Sequence, residues 1–563
     1  MRLVKLRSMT KVLFQISRYL MFAFGLVVTS IVNATDQSEN TPIDEYVAQL
    51  DASYKWTVVD RRCEDGVTTV TIDLTSQTWL DSEQVNQPEW RHWLILSIPK
   101  NVRSDIGMLF IGGGSNRNSW PKESNEQTLT IAKMTQTVVA ELKMVPNQPL
   151  IFNKDGVPRT EDDLIAYTWD QFLTGAEPIW LARNAMVKSA VRAMDTVTNY
   201  TSMKENSDFR IDKFVIAGAS KRGWTSWITA AVDKRVVGLI PIVIDVLNVD
   251  KSMRHHFSAY GFWAPAISDY VRHGIMERLS DPKLAELYEI VDPYHYIDRL
   301  DMPKLILNAA GDQFFLPDSS QFYYDDLIGP KLIRYVPNTD HSMRDSDVLI
   351  SLVAFYDAIV SNIDLPNVSW TYPSENVLVL QADTSPTDAT LWVANNPRAR
   401  DFRLETVGPV YTPTPIKLSD GDNQTLQIPT PEKGWNAYFV EFTYDIGAAA
   451  PLKVTTEVKV IPDILPFSNK SPMETNSVTL VCKSIADPKS SRSDIQKLLQ
   501  NNNIATNGLK TYIDSEDIYF NWSSLLEFQS GFTEIRKILA SKNCNEPEIQ
   551  LESGAEITLP PLA

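Results

Sequence analysis

Residues 214–224 read FVIAGASKRGW, an apolar run that stops at a serine flanked by small residues and followed by two cations. The run is short and rich in β-formers, the kind of strand that is buried on both faces of a parallel sheet. The segment WTSWITAAVD that follows reads as a helix, so Ser220 sits at a strand-to-helix turn. A serine there either caps the helix or is a nucleophile whose strained backbone exposes its Oγ. The residues packed round such a turn must be small, and Gly218 and Gly223 meet that need. In the G-x-S-x-G pattern the fifth place is glycine; here it is Arg222, with glycine one step later. Arg222, with Lys221, is either an anchor for an anionic or carbonyl group of a substrate or a member of a surface ion pair, and Trp224 stands beside them as a further candidate contact.

Outward from the turn, strands and helices alternate. Upstream, GVTTVTIDLTSQTWL and WRHWLILSIP are β-branched and aromatic, as in consecutive antiparallel strands; GMLFIGGGSN and TVVAELKMVP predict two more. The stretch PIWLARNAMVKSAVRAMDTVTNY carries Val187, Val191, Met194 and Val197 at helical spacing. Downstream, VVGLIPIVID, PKLILNAAGD and KLIRYVPNTDHS predict strands, and DVLISLVAFYDAIVSN predicts a closing helix. This is an α/β domain with a mostly parallel sheet, expected over residues 35–365. Residues 246–303 far exceed a simple crossover, which needs about a dozen, and predict a cap over the C-terminal edge of the sheet. Short alternating strands over 366–462 predict a β-sandwich. Residues 463–563 predict a small extension, partly helical, from SDIQKLLQNN and SSLLEFQSGFTEIRKILASKN.

The chain has 563 residues and a formal charge of −17 with no cluster of cations, which argues against a nucleic-acid partner. The first 34 residues carry five Lys/Arg ahead of the apolar stretch YLMFAFGLVVTSIV and then VNA, the pattern of a signal peptide cleaved before Thr35. No other stretch is apolar enough to span a bilayer, so the expected protein is exported, periplasmic or secreted, with no stable membrane span. Of three cysteines, Cys482 and Cys544 are candidates for a bridge and Cys63 is left single, or all three are unpaired; none has metal spacing.

A serine hydroxyl needs a base to take its proton and an acid to fix that base's tautomer. His341 follows the last predicted strand and Asp312 the one before it, giving the chain order Ser220, Asp312, His341 that α/β-hydrolases use. The N–H of Lys221 and the glycine loop at Gly113 and Gly114 are the candidate oxyanion donors. Asp245, Asp318 and Asp340 compete for the acid's place. His255 and His256 are adjacent and face different ways on a helix, so neither they nor His273 and His295 predict a metal; no cofactor is expected.

The segments GASKRGWTSWITAAVDKRVVGLIPIVIDVLN, LNAAGDQFFLPDSS, VPNTDHSM, LWVANNPRARDFR and GWNAYFVEFTY together resemble the PhoPQ-activated pathogenicity-related protein family. The resemblance implies an exported α/β-hydrolase-like protein with a C-terminal β-domain, with Ser220, Asp312 and His341 in the triad positions. It implies virulence or secreted-signalling roles rather than a defined reaction. Two functions follow as expectations: a serine esterase or peptidase-like acyl hydrolase acting on a small molecule or peptide, or a secreted binding protein that keeps the scaffold without needing catalysis.

Overall fold

The computed structural model describes residues 40–121, 125–204, 208–418, 424–470, 477–501, 509–522, 532–542, 544, 547–551 and 556–557. The expected signal peptide lies outside them. The described residues up to Gln49 form one unit and those from Leu50 onward another. In the first, the helix Pro42–Ala48 starts at Thr41, whose N–H and hydroxyl both donate to Asp44.

The second unit is built on nine strands: β1 (Lys55–Glu64), β2 (Val67–Thr78), β3 (Glu89–Pro99), β4 (Ile106–Ile111), β5 (Val139–Leu142), β6 (Lys213–Ala219), β7 (Val236–Ile242), β8 (Lys304–Ala309) and β9 (Lys331–Val336). Their spatial order is β1-β2-β3-β5-β4-β6-β7-β8-β9. The first three pair antiparallel, β3 meets β5 antiparallel, and every pairing from β5 to β9 is parallel. The crossovers put helices on the sheet, which is why β6 to β9 read as nearly unbroken apolar runs. Met108, Val215, Ala217, Ile240 and Leu305 form one core with residues of the helices Glu126–Thr135 and Val348–Ser361. The helices Ala182–Ser202 and Lys221–Val232 pack on each other and against β2, β6 and β7.

Between β7 and β8 lie the helices Val249–Tyr260, Ser268–Arg272 and Pro282–Val291 with short 3-10 turns, in the segment where a cap is expected. Beyond residue 366, β10 (Val368–Ser374), β11 (Val377–Ala382) and β14 (Gln424–Gln427) form one antiparallel sheet. A second runs β13 (Thr412–Pro415), β12 (Asp388–Asn396), β15 (Trp435–Tyr444), β16 (Leu452–Thr455), with β17 (Lys459–Ile461) also on β15. The two sheets share their core with the α/β sheet. Within the segment expected to be short strands, DFRLETVGPVYTPTPIKL (401–418) holds a helical turn at Leu404–Val407 and the single strand β13.

The C-terminal region carries the expected helices, Pro488–Asn501 and Phe532–Ala540, and also a five-stranded antiparallel sheet that the helical reading of this extension did not include. Its order is β19 (Lys510–Asp514), β20 (Asp517–Trp522), β18 (Val478–Cys482), β21 (Glu548–Leu551), β22 (Glu556–Ile557). These strands are 2–6 residues long, too short for a period of two to stand out in the sequence. Cys482 and Cys544 are joined in a disulfide, and Cys63 is free and exposed. No helix of the described residues is long and apolar enough to cross a membrane.

Candidate active site

Ser220 stands between β6 and the helix Lys221–Val232 with φ 57° and ψ −127°, a region that costs a side-chain-bearing residue on the order of 1–3 kcal/mol. Its N–H donates to Ile242 O at 2.8 Å and its carbonyl accepts from Trp224 N–H at 3.0 Å, which pins the turn to β7 and to the helix. A Cβ on Gly218 would lie 2.6 Å from Arg222 O, and one on Gly223 would lie 2.8 Å from Gly218 O. The second small residue is therefore needed at 223, not 222, because the residue facing back onto β6 is the third of the helix. The departure from the textual motif has a packing cause.

Asp312 follows β8 and His341 follows β9. Their loops are tied by Gly311 N–H to Thr339 O at 3.0 Å, and Leu404 N–H from the β-domain donates to Gly311 O at 2.9 Å. The Asp312 carboxylate is buried, accepting from Phe314 N–H at 2.7 Å and from His341 Nδ1 at 2.8 Å. Gln313 Oε1 accepts from His341 N–H at 3.0 Å, and the ring of Phe314 lies 4.3 Å from the imidazole. That leaves His341 Nε2 buried, without a hydrogen-bond partner among the described residues. Ser220 Oγ is not hydrogen-bonded to it here, so the structure joins the acid to the base and leaves the serine as a separate member.

The rival acids are engaged elsewhere. Asp245 accepts from the hydroxyls of Tyr323 and Tyr335, and burial pushes its carboxyl up to about 8. Asp318 is buried between His255 of the cap and Arg400 of the β-domain; burial opposes its ionisation, but those two partners hold it well below the usual carboxylate range. Asp340 accepts from the N–H and hydroxyl of Ser342. His256 faces away from His255, its Nε2 accepting from Ala264 N–H, and burial pushes it down to about 3.

The two cations behind the serine are also resolved. Arg222 donates from Nη1 and Nη2 to the two oxygens of Glu161 at 2.8 and 2.7 Å, and from Nε to Val145 O at 2.6 Å. Its guanidinium lies over Gly113, where a Cβ would come within 2.7 Å of Nη2. It therefore locks the glycine loop to the elbow through an ion pair, one of the two readings of its place in the sequence, and is not among the residues lining the cavity beside Ser220. Lys221, buried, pairs with Glu161 at 2.9 Å and Asp162 at 3.1 Å. Burial works against ionisation of Glu161, but the Arg222 hydrogen bonds and the charges of Lys221 and Arg222 hold its carboxyl down at about 2. Glu161 and Asp162 open the helix Glu161–Leu173, which sequence reading passed over; the acidic EDD at a helix start was the available signal.

A narrow cavity opens beside Ser220, with about 490 Å³ of space inside its lining once the open solvent at its mouth is counted and about 50 Å³ for the centre of a water-sized sphere. Trp169, Trp224, Val246, Met253, Phe314 and Phe315 give it apolar walls, with the cap contributing Val246 and Met253. Its polar groups are Ser220, Lys221, Asp162, Tyr270 and Arg183. Trp224 is thus a wall residue, as a substrate contact would be, its indole N–H fixed on Val291 O at 2.5 Å.

A mostly parallel sheet with a strained serine elbow, and an acid and a base leaving the following strands in that order, defines an α/β-hydrolase scaffold. The chain belongs to the family described as PhoPQ-activated pathogenicity-related protein, whose model matches residues 43–403. It is 36% identical over 475 residues to autocrine proliferation repressor protein A of Dictyostelium discoideum, covering 79% of this chain and 95% of that one. Solved structures with similar folds include an acetyl xylan esterase from Paenibacillus sp. R4, at 16% identity and TM-score 0.38 over 55% of this chain and 90% of that one. Another is acetyl xylan esterase 1 from Thermoanaerobacterium sp. JW/SL YS485, at 16% identity and TM-score 0.37 over 53% and 88%. At those scores the likeness carries no argument about activity.

Proposed function

We propose that the protein is an exported serine acyl hydrolase, an esterase or peptidase-like enzyme, with Ser220 as nucleophile, His341 as base and Asp312 as the acid that orients it. The observation that carries this reading is the buried His341 Nε2 without a partner, held from behind by Asp312, in a protein whose elbow serine lines a cavity. In the reaction, Ser220 Oγ bonds to the substrate carbonyl carbon as its proton passes to His341 Nε2. Asp312 keeps the proton of Nδ1 in place and stabilises the imidazolium. The oxyanion is met by N–H groups of Lys221 and of Gly113 or Gly114, each such donor being worth about 2.7–4 kcal/mol. His341 then protonates the leaving group, and water, activated by the same imidazole, releases the acyl group from Ser220. Export is supported by the basic and apolar leader and by the Cys482–Cys544 disulfide, a bond that persists in oxidising compartments.

Treatment of the protein lacking its first 34 residues with a fluorophosphonate probe tests the reading. The wild type is expected to be labelled and Ser220→Ala not. Asp312→Asn should slow labelling by a factor on the order of 10³–10⁴, whereas Asp245→Asn should leave it close to wild type because Asp245 serves Tyr323 and Tyr335. Labelling unchanged in Ser220→Ala would overturn the assignment.

A second reading, a secreted signalling protein that uses the scaffold for recognition, is favoured by the name of the 36% identical relative, a proliferation repressor. The two part on Ser220→Ala: in a cell-proliferation assay, a folded variant with undiminished effect supports signalling without catalysis, and loss of effect supports the hydrolase.

A further inference from the structure

Arg183 is the second residue of the helix Ala182–Ser202, 2% exposed, and it lines the same cavity as Ser220. Its guanidinium stacks on Trp224, with Cζ 3.7 Å from the ring centre, and lies 5.8 Å from that of Trp169. Its Nε and Nη1 are buried with no hydrogen-bond partner among the described residues. Buried charges are ordinarily paired, because desolvation costs several kcal/mol per ion. Here the groups that could answer the charge are already shared. The Tyr270 hydroxyl donates to Asp162 at 3.2 Å, and Asp162 also pairs with Lys221 at 3.1 Å. Glu161, the next acid, is held by Lys221 and Arg222.

Around the elbow, then, three cations, Arg183, Lys221 and Arg222, face two carboxylates, Glu161 and Asp162. Arg183, the one of the three without an ion pair, lines the cavity, its charge met in part by Asp162 and the Tyr270 hydroxyl. Burial depresses the basicity of Arg183, the sign of a cation taken from water without full compensation, yet a guanidinium stays charged across the physiological range. Aromatic faces stabilise it in part but accept no N–H in the ring plane. A carboxylate would accept from one of the two free groups, Nε and Nη1 lying on opposite edges of the guanidinium, and restore neutrality, and a charge-assisted bond of this kind is about twice as strong as a neutral one.

We propose that Arg183 is a specificity residue for substrates carrying a carboxylate. The apolar walls of Trp169, Trp224 and Met253 hold the body of the group that enters the cavity, and its carboxylate sits on the Arg183 guanidinium while the scissile carbonyl lies at Ser220. This rests on the hydrolase reading for the second half of the statement only. The anion site itself needs no reaction.

Two matched probe esters test the proposal, 4-nitrophenyl butyrate and the 4-nitrophenyl monoester of glutaric acid, which differ by a terminal carboxylate. Wild-type protein should hydrolyse the monoester with the higher kcat/KM, by a factor on the order of ten to a hundred. In Arg183→Gln that preference should collapse, chiefly through KM, and in Arg183→Lys it should be kept in part. Equal or inverted preference in the wild type overturns the proposal without need of any variant. Glutarate binding, followed by thermal shift against neutral glutaramide, separates the two ideas. If Ser220 fails to react with fluorophosphonate but glutarate still stabilises wild type and not a folded Arg183→Gln, the anion site stands and the hydrolase reading falls. If Ser220 reacts and glutarate neither stabilises the protein nor slows labelling, the hydrolase stands and the carboxylate site falls.

Discussion

Arg222 shows how a residue legible in the sequence leaves its task open when its partner is distant. The serine, the acid, the base and both glycines follow from local pattern and chain order, because each chemical role is tied to a strand end. The partner of Arg222 is 61 residues upstream, in a run of acids that reads as ordinary helix-start decoration. Arg183 is equally silent, an arginine inside a helix whose burial only the assembled cap reveals. The Glu161 pairing makes a pH prediction. Its carboxyl is lowered in the fold from an ordinary 4.5 to about 2. The group therefore contributes stability that is fully present above about 4.5 and is lost as pH falls through about 2. Thermal melts should show Glu161→Gln less stable than wild type at neutral pH, with the gap closing below pH 4.5. A gap that stays constant down to the acid limit would mean that the ion pairs to Lys221 and Arg222 contribute nothing net. Because the Glu161 side chain is 40% exposed, solvent screening keeps the effect modest.

At the level of elements, the parallel strands were readable because burial on both faces writes a continuous apolar run. The helix Glu161–Leu173 is legible only at its acidic start, because it buries Leu164, Ile165, Ala166, Tyr167, Thr168, Trp169 and Phe172 and so shows a poor polar stripe of period 3.6. The elbow between β6 and its helix is where sequence and packing agree most closely, and it makes a graded prediction. Alanine at Gly218 meets backbone, Arg222 O at 2.6 Å, whereas alanine at Gly107 meets first a side chain, Ile211 Cγ2 at 2.8 Å. Backbone at a strained turn has little room to give, and overpacking costs about 1–3 kcal/mol. Urea denaturation should find Gly218→Ala in or above that range and the costlier of the two, and labelling of Ser220 should slow in Gly218→Ala alone. Equal losses at both sites would show that the elbow relaxes as freely as a side chain.

Across the whole second unit, the α/β sheet and the β-sandwich are one core, and the acid loop is held partly from the sandwich by Leu404 and Arg400. The C-terminal sheet is different: its core of Leu480, Ile518, Phe520 and Trp522 reaches the rest through Ala259, Tyr260 and Phe262 at the end of a cap helix and through Leu316. Among the described residues, the elbow, the hydrogen bonds of the acid and the base, and the cavity lining draw nothing from residue 477 onward, while the acid loop shares an apolar cluster with the C-terminal core at Leu316. The disulfide between Cys482 and Cys544 closes a loop over a separation of 62 residues, for which chain entropy gives a stabilisation of about 4 kcal/mol. Its loss should therefore fall on the C-terminal sheet first. Limited proteolysis of Cys482→Ser, or of wild type in reductant, is expected to cut beyond residue 477 well before any cut in β1–β9, while fluorophosphonate labelling of Ser220 persists. Unchanged cutting would show that the small sheet holds without its crosslink. Labelling lost in step with the first cuts would show that the cap, which roofs the cavity through Val246 and Met253, depends on the C-terminal sheet through its contacts at Tyr260 and Phe262.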